Sequence, residues 1–201
     1  MLVAGIKSRP VYGGLNVDQN ARRHLFALEG EGALALAELA SRLGQGFLKA
    51  ADILYVAAGS QAQTHDRSLA ALQPDTFWLA PTVPVLLNRL NVMLGQARMG
   101  TRVYFAGTEG FIGQAMQVAL NHGMDHASIH CEHRGSTARR VQCVHCKGVT
   151  DNVTTSPYIC THCGLSLLVR DHYSRRIGAF QGVNIDAEEP GTAPQPEELF
   201  P

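Results

Sequence analysis

Four cysteines in two closely spaced pairs are the residues of this 201-residue chain whose spacing indicates the most definite chemistry. The pairs are Cys143-Val-His-Cys146 and Cys160-Thr-His-Cys163, separated by residues 147–159. Two such pairs on a short β-hairpin bring four thiolates to the corners of a tetrahedron, as in a structural zinc ribbon. Turn-forming residues follow each pair, at 147–148 and 164. We therefore predict that Cys143, Cys146, Cys160 and Cys163 bind a metal ion.

The identity of that metal is a separate question. Tetrahedral sulfur coordination suits Zn²⁺ or a single iron, as in rubredoxin-like electron carriers. The short hairpin and the histidines inside both pairs, His145 and His162, favour zinc, and we expect these histidines to contact solvent or a partner. Two disulfides are the remaining alternative. They are disfavoured because Cys131 would stay unpaired, and a reducing cytoplasm fits all five cysteines.

A glycine-rich turn offers a second possible site. The run Gly30-Glu31-Gly32-Ala33-Leu34-Ala35 lies between an apolar run and a helix-like segment, which is the context of a dinucleotide phosphate loop. Glu29 and Glu31 crowd the place of the phosphate, and no acid follows the second strand at Ala58-Gly59-Ser60 to bind a ribose. A turn needed only for packing is the alternative. The candidate nucleotide contacts are Gly30, Gly32, Gly107, Thr108 and Gly110.

Histidines gather near the end of the last strand–helix unit, at His122, His126, His130 and His133. A second metal cluster is one interpretation. We favour ordinary surface and strand histidines, because this spacing crosses a helix end, a turn and a strand.

Composition excludes several classes of function. The net charge is zero and the sequence pI is about 7.1, so no overall field attracts nucleic acid or an anionic membrane. Only 17% of residues are charged and 45% are hydrophobic, which suggests that a partner covers part of the surface. The N-terminus does not match a signal peptide, and no apolar run reaches the length of a membrane span. We expect a cytoplasmic protein.

The elements that must position these residues follow from the apolar pattern. Strand-like and helix-like segments alternate through residues 24–131, and the strands are continuously apolar. This pattern predicts a doubly wound α/β fold with a parallel sheet covered on both faces. The expected strands are 24–28, 52–57, 76–80, 101–106 and 126–130. Two expected helices end near residues 43 and 98, and a third is expected over 112–122.

We predict three parts along the chain. Residues 1–135 form the Rossmann-like α/β domain, and residues 136–183 form the zinc ribbon with a basic and aromatic docking segment, Arg170–Gly182. Residues 184–201 are acidic and proline-rich, contain no Lys or Arg, and are expected to be a disordered tail or partner-binding arm.

The α/β segment resembles the nicotinamide-binding domain of the ferredoxin–NADP reductase superfamily over roughly residues 20–133. The likeness rests on Val103–Phe111, on Gly123 after a helix, and on Ile129–Glu132. Ala106-Gly107-Thr108 replaces the Cys-Gly-Pro turn of that superfamily, so the thiol near the nicotinamide is missing. Because only residues 1–20 precede the sheet, we expect no flavin-binding barrel in this chain.

Combined with the ribbon, the chain resembles the family of small zinc-ribbon subunits of bacterial dimethylamine monooxygenase. The residues that carry this likeness are Thr108–Leu120, Arg139–Cys146 and Arg170–Phe180. The resemblance implies an accessory subunit of an oxygenase that uses NADPH and O₂ to convert dimethylamine to methylamine and formaldehyde. It implies that flavin, an iron–sulfur cluster and the oxygen-activating iron belong to sister subunits: a flavin and iron–sulfur reductase subunit and an iron- or haem-containing oxygenase subunit. This chain would assemble the complex or position NADPH, and alone it would be inactive.

Two other functions stay open. One is a rubredoxin-like electron-transfer subunit. The other is a nucleic-acid-binding ribbon, since the ribbon region is locally basic. Its basic residues are Arg134, Arg139, Arg140, Lys147, Arg170, Arg175 and Arg176. Few aromatic residues are available there for base stacking, so we favour docking of this basic rim on an acidic partner subunit.

Overall fold

The computed structural model of the protein describes residues 8–44, 46–58 and 62–201, so Gly59, Ser60 and the first seven residues lie outside the described parts. The chain forms two compact units. One, the α/β unit, comprises residues 12–135, and the other, the ribbon unit, comprises residues 136–201 together with residues 8–11. Residues 8–11 were expected in the first unit. They belong to the second because the Ser8 backbone forms a β-bridge with His172 and Arg9 forms an ion pair with Asp171.

The first unit contains a sheet of five parallel strands in the order β3-β2-β1-β4-β5. The strands are β1 Arg23–Glu29, β2 Ala51–Val56, β3 Thr76–Ala80, β4 Thr101–Gly107 and β5 Ile129–His133. The helices are α1 Gly32–Leu43, α2 Ala62–Ala71, α3 Val83–Gly95 and α4 Glu109–Asn121.

Each face of this sheet packs against its own hydrophobic core. On β1, Leu25 and Ala27 enter the core that contains the buried leucines of α3 and the apolar face of α4. Phe26 and Leu28 enter the opposite core, formed with α1 and with Leu69 of α2. Because successive strand residues point to opposite faces, a strand covered on both sides is apolar throughout. The predicted doubly wound parallel sheet is therefore confirmed.

Three elements differ from expectation. The fifth strand begins at Ile129 instead of 126, because His126–Ser128 forms a short 3₁₀ turn. Helix α4 begins at Glu109 instead of 112, because the Thr108 side chain accepts a hydrogen bond from the Phe111 N–H and caps the helix there. Helix α2 was not predicted from the sequence.

The second unit has a five-stranded sheet in the order β7-β6-β11-β10-β9. Its strands are β6 Arg139–Cys143, β7 Val149–Val153, β9 Tyr158–Ile159, β10 Ser166–Ser174 and β11 Ala179–Asn184. A two-stranded pair, β8 Thr155–Ser156 with β12 Glu197–Glu198, completes the unit. The expected docking segment, Arg170–Gly182, thus lies within the β10–β11 hairpin.

The C-terminal segment is also ordered, contrary to the expected disorder. Phe200 is 8% exposed, and its ring centroid lies 4.0 Å from the Arg139 Cζ. The same guanidinium lies over the Phe180 ring, with its Cζ also 4.0 Å from the centroid. The backbone oxygen of Pro201 accepts a hydrogen bond from the Thr137 N–H at 2.7 Å. Composition alone does not predict such a segment, because its aromatic anchor and its backbone hydrogen bonds are made with residues distant in sequence. No helix in the described ranges is long and apolar enough to cross a membrane.

Candidate functional site

The four predicted cysteines lie together, with sulfur atoms all within 4.8 Å of one another. The Cys143 and Cys163 sulfurs are 3.8 Å apart, as are those of Cys146 and Cys160. Four metal–sulfur bonds of about 2.3 Å at tetrahedral angles hold sulfurs about 3.8 Å apart, so the cysteines fit a tetrahedral metal ion. All four are free, which contradicts the disulfide alternative.

Two matching backbone turns position the cysteines. In the first, the Cys143 N–H donates to the Gly148 carbonyl at 2.9 Å, and the Lys147 N–H donates to the Cys143 carbonyl at 3.0 Å. In the second, the Cys160 N–H donates to the carbonyl of residue 165 at 2.9 Å, and the Gly164 N–H donates to the Cys160 carbonyl at 3.0 Å. We call these turns the first and second knuckles, residues 143–148 and 160–165.

Backbone donors also stabilise the sulfurs as thiolates, the form that binds metal. The Gly148 N–H donates to the Cys146 sulfur at 3.4 Å. At Cys160, burial raises the pKa of the thiol, but hydrogen bonds from the His162 and Cys163 backbone N–H groups and from the Cys163 and Cys146 thiols lower that pKa to about 7. A backbone N–H lowers the pKa of Cys163, but burial and the same thiol–thiol hydrogen bonds raise it to about 12, so the four sulfurs share protons that a bound metal ion would displace.

The histidines do not extend this metal site. The His162 ring lies against Gly148, where an added Cβ would be 2.4 Å from the ring, and its Nε2 donates to the Val149 carbonyl at 3.0 Å. His145 is exposed. Among the described residues, the four cysteines are the group of His, Cys, Asp or Glu side chains placed to share a metal ion.

Among the described residues, His122, His126, His130 and His133 do not form the second metal cluster that the sequence left open. The His122 Nε2 forms a hydrogen bond with the Asn91 Oδ1 at 2.8 Å. The His130 ring stacks on Tyr104 with centroids 5.2 Å apart, and the His133 ring stacks on Tyr12 with centroids 6.3 Å apart. These separate packing partners agree with the interpretation of ordinary surface and strand histidines.

The two glycine turns meet at one place in the α/β unit. Gly30 and Gly32 lie directly after β1, at the start of α1. Gly107 ends β4, and Thr108 and Gly110 lie at the start of α4. The strands β1 and β4 are neighbours. The chain order reverses between them, so this is the topological switch point where doubly wound sheets bind ligands.

A carboxylate already occupies this switch point. Glu29 accepts hydrogen bonds from the Thr108 N–H at 3.0 Å and from the Thr108 hydroxyl at 2.6 Å, at the N-terminus of α4. Packing requires a glycine at residue 32, because a Cβ added there would lie 2.1 Å from the Ala106 carbonyl oxygen. Gly30 has a positive φ of 50°. Packing alone thus accounts for the motif, and a nucleotide phosphate reaches Thr108 only after Glu29 moves.

Sequence reasoning missed two ionic networks that carry no local motif. Arg23 donates to the buried Asp52 carboxylate, which also accepts the Thr76 hydroxyl at 2.6 Å. In the ribbon unit, Arg9 and Arg139 both pair with Asp171. Burial raises the pKa of Asp171, but the two guanidinium groups outweigh it and hold that pKa below its ordinary value.

Comparison with known families identifies two matching regions. The N-terminal domain model of the dimethylamine monooxygenase subunit DmmA-like family matches residues 4–129. The C-terminal domain model of the same family matches residues 140–183, which include all four cysteines. The resemblance inferred from the sequence is confirmed.

A curated relative supports this match. The chain is 34% identical, over 116 residues, to the delta subunit of a heme-dependent oxidative N-demethylase from Ectopseudomonas mendocina (strain ymp). The aligned region covers 58% of this chain and spans 66% of the length of that relative.

Solved structures show only distant similarity. One is an intact type IV self-sufficient cytochrome P450 monooxygenase, with TM-score 0.46 and 18% identity, covering 68% of this chain and 19% of that chain. Another is the flavohem-like FAD/NAD-binding domain of nitric oxide dioxygenase from Vibrio cholerae O1 biovar El Tor, with TM-score 0.45 and 18% identity, covering 63% and 56%. The fold class therefore rests on the strand order of the chain itself.

Proposed function

Because the chain belongs to the dimethylamine monooxygenase subunit DmmA-like family, we propose that it is an accessory subunit of an NADPH- and O₂-dependent oxygenase that demethylates dimethylamine to methylamine and formaldehyde. Its role is to hold the complex together through a zinc-stabilised ribbon. The observation that carries this proposal is the closed four-thiolate site within a family of oxygenase subunits. The cytoplasm is the expected compartment, since it keeps all five thiols reduced.

Zinc is the metal that we propose for the site. A Zn²⁺ ion bound there supplies folding free energy by joining the two knuckles. Four cysteines complete a tetrahedral shell, so the site leaves no open position for substrate or water. The protein contributes four cysteine sulfurs, of which that of Cys146 accepts the Gly148 N–H and that of Cys160 accepts backbone N–H groups of the second knuckle. Gly148 leaves room for the His162 ring.

We assign the redox cofactors to partners. In this proposal, flavin and the iron–sulfur cluster belong to a reductase subunit, and the oxygen-activating iron or haem belongs to an oxygenase subunit. The relative from Ectopseudomonas mendocina is a subunit of a heme-dependent demethylase, which supports an oxygenase of this kind as partner. The switch point of this chain supports the division of labour, because Glu29 occupies the position facing α4.

A second candidate function is presentation of NADPH to a partner flavin at Gly30, Gly32, Gly107, Thr108 and Gly110. The meeting of both glycine turns at the switch point favours it. The Glu29 carboxylate opposes it, since nucleotide phosphates and a carboxylate repel one another. We therefore rank assembly above NADPH presentation.

Co-expression with the sister subunits tests the assembly role. We expect the purified complex to contain this chain with one zinc per copy, and we expect the isolated chain to show no NADPH oxidase activity. Cys160→Ser should lose both the zinc and the co-purifying subunits, whereas Cys131→Ser, at a buried thiol outside the knuckles, should retain them. Assembly retained by the metal-free Cys160→Ser chain would contradict a docking role for the ribbon. A red protein with thiolate-to-iron absorption would instead favour the rubredoxin-like alternative.

A further inference from the structure

A cationic cleft lies beside the first knuckle of the ribbon unit. Its volume is about 480 Å³, and its lining includes Lys147, His172 and Arg176 but no Asp or Glu. Val144, which lies inside the first knuckle between two of the cysteines, lines the same cleft. The cleft is therefore held in place by the metal site.

Lys147 occupies a backbone position that suits glycine. Its φ is 64°, and the equivalent residue of the second knuckle is Gly164, with φ 76°. Both residues donate their N–H to the carbonyl of the first cysteine of their knuckle at 3.0 Å. A side chain in this left-handed region costs free energy that glycine avoids. The first knuckle therefore has a strained lysine where the second knuckle has a glycine.

The ammonium group of Lys147 is positioned for an external anion. Its Nζ donates to the Val144 carbonyl at 2.6 Å while the side chain stays exposed. Arg176 is exposed too. Within the described residues, neither Lys147 nor Arg176 has a carboxylate within ion-pair distance, whereas Arg139 and Arg140 of the same unit are each paired with an aspartate. The cleft therefore carries positive charge that the unit itself leaves unneutralised.

We propose that this cleft binds a carboxylate-rich segment of a sister subunit, with Lys147 and Arg176 as the contacting cations. The proposal rests on the proposed function and locates its docking surface. Nucleic acid fits less well, because proteins that bind it typically contact many phosphates and stack exposed aromatic rings on the bases. Here the cations are few, and the aromatic residue that lines the cleft, Phe180, is 2% exposed.

The test uses the full-length, zinc-loaded chain and the remaining subunits of the complex, purified by co-expression without it. Binding is measured by biolayer interferometry at two salt concentrations. We expect Lys147→Glu and Arg176→Glu to weaken binding at least about tenfold and to reduce its salt dependence. Arg67→Glu, at an exposed α2 residue outside the ribbon unit, should bind like the wild type.

Lys147→Gly separates docking from folding. We expect an equal or higher Tm and unchanged zinc content, because glycine relieves the left-handed strain, together with weakened binding. If Lys147→Glu, Arg176→Glu and Lys147→Gly each bind the sister subunits like the wild type, the cleft is not the docking surface. The assembly role would remain intact. A wild-type chain that binds no sister subunit would overturn both. Binding of a labelled 30-nucleotide RNA that Lys147→Glu abolishes, at physiological salt, would also overturn the proposal in favour of nucleic acid.

Discussion

Replacement of Glu29 decides whether the switch point of the α/β unit accepts a nucleotide. The Glu29 carboxylate lies against the Thr108 N–H at 3.0 Å, at the N-terminus of α4. Two like unit charges about 4 Å apart repel by about 4 kcal/mol at an effective dielectric constant of about 20. That energy corresponds to about a thousandfold in Kd and would move a micromolar nucleotide site to about 1 mM. We therefore expect the wild-type chain to show no saturable NADPH binding below about 1 mM.

The matched variants separate charge from packing. Glu29→Ser removes the carboxylate, so NADPH binding should tighten by at least about a hundredfold if the remaining turn is competent. The same change removes two charge-assisted hydrogen bonds and should lower the free energy of unfolding by about 2–4 kcal/mol. Thr108→Val removes one of these bonds together with the N-terminal cap of α4 and keeps the Glu29 charge, so it should lose stability without gaining NADPH affinity.

Fluorescence titration with NADPH and urea unfolding of the three proteins provide the measurements. Micromolar, stoichiometric NADPH binding by the wild type, unaltered in Glu29→Ser, would refute the reasoning. It would mean that the carboxylate moves away at little cost, and it would restore NADPH presentation as the leading function of the unit.

Three further predictions concern stability. Gly32→Ala should destabilise the α/β unit by at least about 3 kcal/mol in urea unfolding, because its Cβ would lie 2.1 Å from a backbone oxygen of β4 that cannot withdraw. Burial lowers the pKa of His24 below its ordinary value, so the unfolded chain takes up the proton first and the unfolding free energy should fall as pH drops below about 6.5. His24→Phe should reduce that loss between pH 7.5 and 5.5, and an unchanged pH profile would contradict this assignment. Phe200→Ala should destabilise the ribbon unit by about 3 kcal/mol, as measured by hydrogen exchange of β8; no change would indicate that the C-terminal segment is not anchored there.

The parallel sheet was predictable because its strands are buried on both faces and therefore apolar at every position. Helix α2 was not, because residues 62–71 are mostly polar and only Leu69 and His65 among those with described side chains are buried. The start of the fifth strand was misplaced for a related reason. The short 3₁₀ turn at His126–Ser128 runs into the strand with no glycine or proline between them to mark the boundary.

The four cysteines were predictable because a CxxC pair fixes its two sulfurs within a single turn of backbone. The hairpin then needs only to bring two such turns together. Ion pairs such as that between Arg9 and Asp171 have no such local constraint. Their partners are distant in sequence, and only the completed sheet brings them together.

The glycine turn after β1 shows how a motif keeps its spacing without its usual ligand. Gly32 satisfies the same packing requirement that a dinucleotide fold imposes, since α1 approaches the β4 backbone too closely for any Cβ. An anion also lies at this turn, as in dinucleotide-binding folds, but it is the carboxylate of Glu29 and not a phosphate. A glycine pattern therefore reports how closely a helix approaches a sheet. At this turn, a phosphate would compete with the carboxylate of Glu29, the residue that precedes the pattern.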